Sequence, residues 1–135
     1  MENWYDCNFS GKRVLLVEDQ PINTWVAKQI LEKVGFEVTT AADGREGLQK
    51  FIEVKEGYFD AILMDINMPV MDGWMATSAI RELEQKNGEA VPIIAMTTNG
   101  YEEDIRRSFE VGMNEHLIKP VEPKYLIACL AKYMS

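Results

Sequence analysis

The chain has 135 residues, of which 47% are hydrophobic, and this length suits one domain with a sizeable core. Its 14 basic and 22 acidic residues give a net charge of −8. We expect no direct nucleic-acid binding, because this charge would repel phosphate backbones. No apolar run is long enough for a membrane span, and residues 1–11 lack the basic start and apolar centre of a secretion signal. Cys7 and Cys129 have no metal-binding or redox spacing, so we expect free thiols and a cytoplasmic protein.

The start of the chain predicts a short tail, a buried strand and a helix. Residues 1–11 have the character of a tail or linker remnant, and residues 12–135 form the predicted domain. Arg13–Val17 is apolar on both faces, as expected for a central parallel strand. Pro21 suits the first turn of the helix that follows and that Gly35 ends. Apolar residues recur in this helix every four positions and predict one buried stripe: Ile22, Val26, Ile30 and Val34.

Strands and helices alternate through the rest of the chain. The further predicted strands are residues 36–40, 59–64, 91–96 and 116–118. The further predicted helices are residues 43–57, 73–85, 102–111 and one that begins at 122. The helix over 102–111 is polar, with Ile105 and Phe109 as its chief apolar anchors. This alternation predicts an α/β fold, a doubly wound five-stranded parallel sheet with helices on both faces.

Polar residues with complementary chemistry follow four of the five strands. Strand one ends in Glu18 and Asp19, strand three in Asp65, strand four in Thr97 and strand five in Lys119. In a sheet of order 2-1-3-4-5, strand two lies at the edge and the other four strand ends meet at one crevice. The sequence therefore predicts three carboxylates, one ammonium and one hydroxyl at a single site.

Three carboxylates in one small site repel each other strongly unless a cation joins them. Hard oxygen ligands without Cys or His partners favour Mg²⁺. One carboxylate can then act as a nucleophile towards a phosphoryl group, while the cation and Lys119 neutralise the charge that develops. Thr97 can donate a hydrogen bond to the same group.

Four segments of the chain match the motifs of one known family. They are Val-Glu-Asp-Gln-Pro-Ile-Asn at 17–23, Met-Asp-Ile-Asn-Met-Pro-Val-Met-Asp-Gly at 64–73, Ile-Ile-Ala-Met-Thr at 93–97 and Lys-Pro at 119–120. Over residues 12–134 the sequence resembles the receiver domain of two-component response regulators, and most of all the receivers of hybrid histidine kinases. The resemblance implies the flavodoxin-like (βα)5 fold with the same strand order.

The resemblance also implies a role for each matched residue. Asp65 is the implied phosphoacceptor, and a histidine kinase or a histidine phosphotransfer protein is the implied donor of the phosphoryl group. Lys119 contacts the phosphoryl group and precedes a cis Pro120 in this reading, and Thr97 is the switch residue. The implied ligands of Mg²⁺ are Glu18, Asp19, Asp65 and the backbone carbonyl of Asn67.

Two positions depart from the family pattern. His116 stands where relatives often carry Tyr or Phe as a rotating switch residue, so aromatic gating is in doubt. Thr98 replaces the smaller residue that commonly follows the switch threonine, and its bulk is expected to restrict access to the phosphoryl group.

The function predicted is a phosphoacceptor switch in a phosphorelay, without catalytic turnover beyond slow self-dephosphorylation. An alternative is a Mg²⁺-dependent phosphatase with an aspartyl intermediate, but that class usually has an acidic residue where Asn67 stands. A flavin-binding domain is a third reading, and Glu18 and Asp19 would repel its phosphate. The cognate kinase, the output and the oligomeric state do not follow from the sequence.

Overall fold

The structure is a computed structural model and describes residues 3–68, 70–85, 90–98 and 100–134. Turn positions predicted at Pro69, at residues 86–88 and at Asn99 lie outside the described residues. Within the described part, no helix is long and apolar enough to cross a membrane.

Five strands alternate with five α-helices in the described residues. The strands are β1 (Arg13–Val17), β2 (Glu37–Ala41), β3 (Ala61–Asp65), β4 (Ile93–Thr97) and β5 (Glu115–Ile118). The helices are α1 (Pro21–Lys33), α2 (Gly44–Glu53), α3 (Gly73–Glu84), α4 (Glu102–Glu110) and α5 (Pro123–Ala131). The strands are all parallel in the order β2-β1-β3-β4-β5, which confirms the predicted fold class and strand order.

The sheet separates two hydrophobic clusters because successive side chains of a strand point to opposite faces. Val14 and Leu16 of β1 lie in the cluster that α1 and α5 cover, with Leu31 and Leu126. Leu15 and Val17 lie in the cluster that α2 and α3 cover, with Ala76, Ile80 and Met113. Both faces of the central strands are thus buried, as the apolar run in β1 predicts.

The segment before β1 packs onto the domain. A 3-10 turn at Trp4–Asp6 is followed by Phe9, whose ring stacks on Phe36 with 5.0 Å between centroids. The N–H of Phe9 donates to the carbonyl of Val34 at 2.6 Å, and Trp4, Cys7 and Phe9 pack against the α1/α5 cluster. A tail was predicted here, and the placement of the domain boundary at residue 12 stays a prediction.

Two helices bury different residues from those predicted. Leu31 of α1 and Val34, which follows the helix, are buried, but Ile22 and Val26 at the start of the predicted stripe are exposed. A spacing of four overshoots the 3.6-residue turn by about 40° per step, so such a stripe winds away from the core. In α4, Ser108 is the buried residue and Phe109 is half exposed, so Phe109 is not the anchor that its apolarity indicates.

Candidate functional site

The ends of four neighbouring strands bring the predicted polar side chains together. Asp65 is the last residue of β3 and Thr97 the last of β4. Glu18 follows β1, and its N–H donates to Ala41 at the end of β2. Lys119 follows β5, and its N–H donates to the Thr97 carbonyl at 2.7 Å. The parallel register therefore sets these residues at one edge of the sheet, as predicted.

Ion pairs connect the buried side chains at this edge. Lys119 Nζ lies 2.5 Å from Glu18 Oε1 and 3.1 Å from Asp65 Oδ2. Oxygen atoms of Glu18, Asp19 and Asp65 all lie within 4.8 Å of one another. One ammonium therefore faces three carboxyl groups, and the site carries an excess of negative charge when all of them ionise.

Burial, together with this charge excess, shifts the pKa of Asp65. Burial and the charge of Glu18 raise the pKa of Asp65 to about 7, although Lys119 acts in the opposite direction. Burial alone would lower the pKa of Lys119, but its contacts with Glu18 and Asp65 outweigh burial and raise that pKa. A cation that replaced the proton on Asp65 would relieve the repulsion, so the electrostatics favour cation binding.

The loop after β3 shapes the site around Asp65. The backbone N–H of Asn67 donates to Asp65 Oδ1 at 3.2 Å, and Asn67 Nδ2 donates to Thr97 Oγ1 at 3.2 Å. α3 begins so close to the strand that a Cβ on Gly73 would lie 2.4 Å from the Asp65 carbonyl oxygen. Glycine at residue 73 therefore allows the loop to close over the end of β3.

The donor set fits a hard divalent cation. Glu18, Asp19 and Asp65 offer carboxylate oxygens that could hold such an ion. No described His or Cys joins this cluster, which separates it from zinc and copper sites. The roles of individual ligands stay predictions.

The remaining predicted positions lie around this cluster. The Lys119–Pro120 bond is cis, as the resemblance implies. His116 lies on β5, where its Nε2 is buried without a hydrogen-bond partner among the described residues. Burial lowers the pKa of His116, while the charge of Asp104 raises it. Thr98 is exposed next to Thr97.

One arrangement near the site escaped the sequence reasoning. Trp74, in the first turn of α3, donates through Nε1 to Ser108 Oγ of α4 at 3.0 Å. The guanidinium of Arg107 lies over the same indole at 4.2 Å from its centroid. The two partners of Trp74 lie more than thirty residues away in the sequence, and no local pattern pairs them.

Comparison with known proteins shows which family the chain resembles. Residues 14–131 match the model of the response regulator receiver domain. The hybrid signal transduction histidine kinase I of Dictyostelium discoideum is 40% identical over 117 residues. That match covers 85% of this chain but only 7% of the length of the kinase. Peroxide stress-activated histidine kinase mak3 of Schizosaccharomyces pombe is 36% identical over 125 residues, 92% of this chain and 5% of its own length.

Solved structures share the same fold. The receiver domain of a sensor histidine kinase from Pseudomonas aeruginosa PAO1, with a magnesium ion coordinated in its active-site cleft, aligns with a TM-score of 0.81 and 39% identity. The alignment covers 93% of this chain and 98% of that one. The receiver domain of Ssk1 from Saccharomyces cerevisiae, crystallised with the histidine phosphotransfer protein Ypd1, aligns with a TM-score of 0.85 and 30% identity. This alignment covers 93% of this chain and 90% of that one.

The family match spans nearly all of the described strands and helices, and the sheet edge inside it holds three carboxyl groups and Lys119. Receivers are phosphoacceptor signalling modules and not turnover enzymes. This chain therefore belongs to the response regulator receiver domain family.

Proposed function

We propose that Asp65 is the residue that accepts the phosphoryl group. The observation that carries this proposal is the position of its carboxylate, which ends β3 at the crevice and contacts Lys119 at 3.1 Å. Asp65 is only 3% exposed, and Asp19 beside it is half-buried. Asp65 Oδ1 also accepts from the Asn67 N–H at 3.2 Å, and Asn67 Nδ2 in turn donates to Thr97 Oγ1 at 3.2 Å.

The transfer itself makes few demands on the protein. A carboxylate oxygen of Asp65 forms the new P–O bond while the P–N bond of a phosphohistidine donor breaks. The imidazole leaves with the electron pair of that bond and takes up a proton. Lys119 contacts the transferred group and offsets its charge, and the hydroxyl of Thr97 turns towards a phosphoryl oxygen. Because the acceptor must be ionised to attack, Lys119 and a bound cation both favour the reactive form of Asp65.

Mg²⁺ is the cation that we assign to this site. Glu18, Asp19, Asp65 and the backbone carbonyl of Asn67 would hold it, with Asp19 as a direct ligand and Glu18 through water. When bound, Mg²⁺ neutralises the carboxylates and the equatorial oxygens of the transferred group. The magnesium ion named in the Pseudomonas structure supports this assignment.

The partner that we propose is a histidine kinase or a histidine phosphotransfer protein. Support comes from the receiver domain crystallised with Ypd1 and from the hybrid kinases among the relatives. An apolar surface of α1 lies beside the crevice, where Ile22 is 77% and Trp25 is 63% exposed, three and six residues after Asp19. A phosphotransfer helix that packed on this surface would bring its histidine to Asp65. A cytoplasmic location belongs to the same proposal, because these donors receive their phosphoryl group from ATP, which the cytoplasm supplies.

Mass spectrometry tests the acceptor directly. We expect Mg²⁺ and acetyl phosphate to add one phosphoryl group to the wild-type protein and none to Asp65→Asn. Asp72→Asn is the matched control, because Asp72 lies in the same loop but caps α3 by accepting from the Met75 N–H at 2.9 Å. This variant should still be phosphorylated, since asparagine also caps helices. Phosphate retained by Asp65→Asn on a serine, threonine or histidine would refute the proposal.

A further inference from the structure

A cavity lies at the opposite end of the sheet from Asp65. Its volume is about 410 Å³, within the range of roughly 300–1,000 Å³ that is typical of small-molecule sites. The described residues that line it belong to the end of α2 and the turn after it, to the end of α3, and to the segments just before β3 and β4. Asp60 precedes β3 and Asp65 ends it, so the length of this strand, roughly 16 Å, separates the cavity from the carboxylate cluster.

Apolar side chains form most of the described cavity wall. Phe51 of α2 and Leu83 of α3 are half-buried there, while Ile52 is 53% exposed. The Arg13 guanidinium, which is not part of the wall, lies 4.4 Å from the centroid of the Tyr58 ring and helps to fix that ring in place. The wall therefore offers an apolar group a surface to pack on, and covering the exposed part of Ile52 would favour binding.

Glu84 gives the wall rigidity without adding an unpaired charge. Its side chain accepts from Arg81 NH1 through Oε1 at 2.5 Å and from the Val91 N–H through Oε2 at 2.7 Å. Both carboxylate oxygens are thus engaged, and the residue is only 9% exposed. Glu84 joins the end of α3 to the segment before β4, so two sides of the cavity are held at a fixed separation.

Two other carboxylates of the wall have no cationic partner. Asp60 Oδ2 accepts from the backbone N–H of Arg13 at 2.8 Å, but neither Asp60 nor Glu56 forms an ion pair with a described residue. Lys55 is the one cationic side chain among the described residues of the wall, and it is exposed and unpaired in the same sense. With the charge of Glu84 offset by Arg81, the wall keeps an excess of negative charge.

The end of α2 adds hydrogen-bond acceptors to this side of the cavity. Its C-cap residue, Val54, lines the cavity and donates no backbone hydrogen bond, whereas the C-cap residues of the other four α-helices described here all do. The last carbonyls of α2 therefore keep their acceptor capacity, and the helix dipole places partial negative charge at the same end. Carboxylates, carbonyls and dipole all favour a cationic hydrogen-bond donor.

We propose that this cavity binds an organic ammonium ion, a protonated amine that carries an aromatic or branched apolar group. The apolar group packs against Phe51, Ile52 and Leu83. The ammonium group has three N–H donors and no acceptor, so it can pair with Asp60 and Glu56 and with the carbonyls at the end of α2. A neutral analogue would leave the carboxylates without a cation, and an anionic one would be repelled. The site is independent of Asp65 and of its phosphorylation.

Titration with 2-phenylethylamine tests the site in the purified protein, with amide chemical shifts as the readout. At neutral pH the amine is protonated. We expect saturable shifts over residues 51–60 and 90–93, and an affinity about 5-fold or more above that of 2-phenylethanol, which keeps the ring but has no charge. The anion 3-phenylpropionate should cause no saturable shift in these residues.

Charge-removing variants locate the ammonium group. Asp60→Asn keeps an acceptor for the Arg13 N–H, and it should weaken amine binding about 2- to 5-fold, as should Glu56→Gln. Glu53→Gln is the matched control, because Glu53 is an exposed carboxylate at the end of α2 that does not line the cavity. It should leave the affinity unchanged. Asp65→Asn should also bind the amine as wild type does, so failure of the proposed function and failure of this site are seen separately.

Four outcomes would overturn the proposal. They are the absence of saturable shifts at the cavity, equal affinities for the amine and the alcohol, wild-type affinity in both Asp60→Asn and Glu56→Gln, and an equal loss of affinity in Glu53→Gln. A fifth is the appearance of the same shifts when the protein concentration alone is raised, because a lysine of a second copy would then occupy the cavity.

Discussion

At the scale of single residues, Asp65 is subject to opposed demands. Burial and Glu18 disfavour its charge, whereas attack on phosphorus requires that charge. The pKa rises from 3.8 to about 7 on folding, so the folded state binds more protons than the unfolded state between these values. The free energy of unfolding contributed by this group is therefore full below pH 4 and falls as the pH rises towards 7.

Replacing Asp65 by Asn should reveal this proton linkage. Without metal, we expect the free energy of unfolding of Asp65→Asn to increase relative to that of wild type between pH 5 and pH 8. The increase has an upper bound of about 3 kcal/mol, from the interval between pH 5 and the pKa of about 7, and the Lys119 ion pair reduces it. Urea unfolding in EDTA at both pH values measures the difference. A difference independent of pH would show that the carboxyl is already ionised at pH 5.

At the scale of elements, the segment before β1 packs against the α1/α5 cluster. Phe9 stacks on Phe36, and its N–H donates a hydrogen bond to the Val34 carbonyl just after α1. The segment therefore covers part of the α1/α5 cluster. We expect Phe9→Ala to lower the free energy of unfolding by about 2 kcal/mol, less than for a fully buried phenylalanine.

Tyr5→Ala is the control for this prediction, because Tyr5 lies in the same segment but is 48% exposed. Its effect on urea unfolding should stay within about 0.5 kcal/mol. Equal effects of both variants would show that the segment is not packed as described.

The elements also show which parts of the fold a sequence can predict. The type and order of the five strands and five α-helices followed from hydrophobic runs and turn residues, since the two periodicities differ clearly, but the 3-10 turn at Trp4–Asp6 did not. The buried face of α1 did not follow, because neighbours from other elements decide which part of a long apolar stripe is covered. The buried residue of α4 is a serine, whose hydroxyl is satisfied by the Trp74 indole and the Asp104 carbonyl, and apolar periodicity does not predict such a residue.

At the scale of the whole molecule, the strand order brings residues that are distant in the sequence together in one site. Glu18 and Lys119 are 101 positions apart and 2.5 Å distant in space. Sequence reasoning reached this cluster because the carboxyl ends of parallel strands must share an edge. It did not reach the contacts of α3 with α4, since helices on the same face have no equivalent rule of register.

Metal binding to this edge should stabilise the whole fold. A cation that binds only the folded state adds about 1.4 kcal/mol at ten times its Kd, which raises the Tm by roughly 3–5 °C for a domain of this size. We expect Asp19→Ala to melt no lower than wild type in EDTA, because one repelling charge is gone, and to gain little from Mg²⁺. Thermal melts with EDTA and with Mg²⁺ measure both quantities.

Asp43→Ala is the matched control, because Asp43 caps α2 by accepting from the Glu46 N–H at 2.8 Å and lies outside the carboxylate cluster. Its loss should cost about 1 kcal/mol with and without metal. An Asp19→Ala protein that keeps the full Mg²⁺ increment would remove Asp19 from the metal site.

The single histidine of the chain has a consequence for the chemistry of a relay. His116 is the one imidazole in 135 residues, and its Nε2 is buried in β5. A phosphoramidate survives alkali and is lost in acid, whereas an acyl phosphate is cleaved by hydroxylamine. In a mixture of this chain and a donor protein, alkali-stable label can thus be assigned to the donor, and hydroxylamine-sensitive label to an aspartate. The location of the phosphoryl group can be followed through the relay without separating the two proteins.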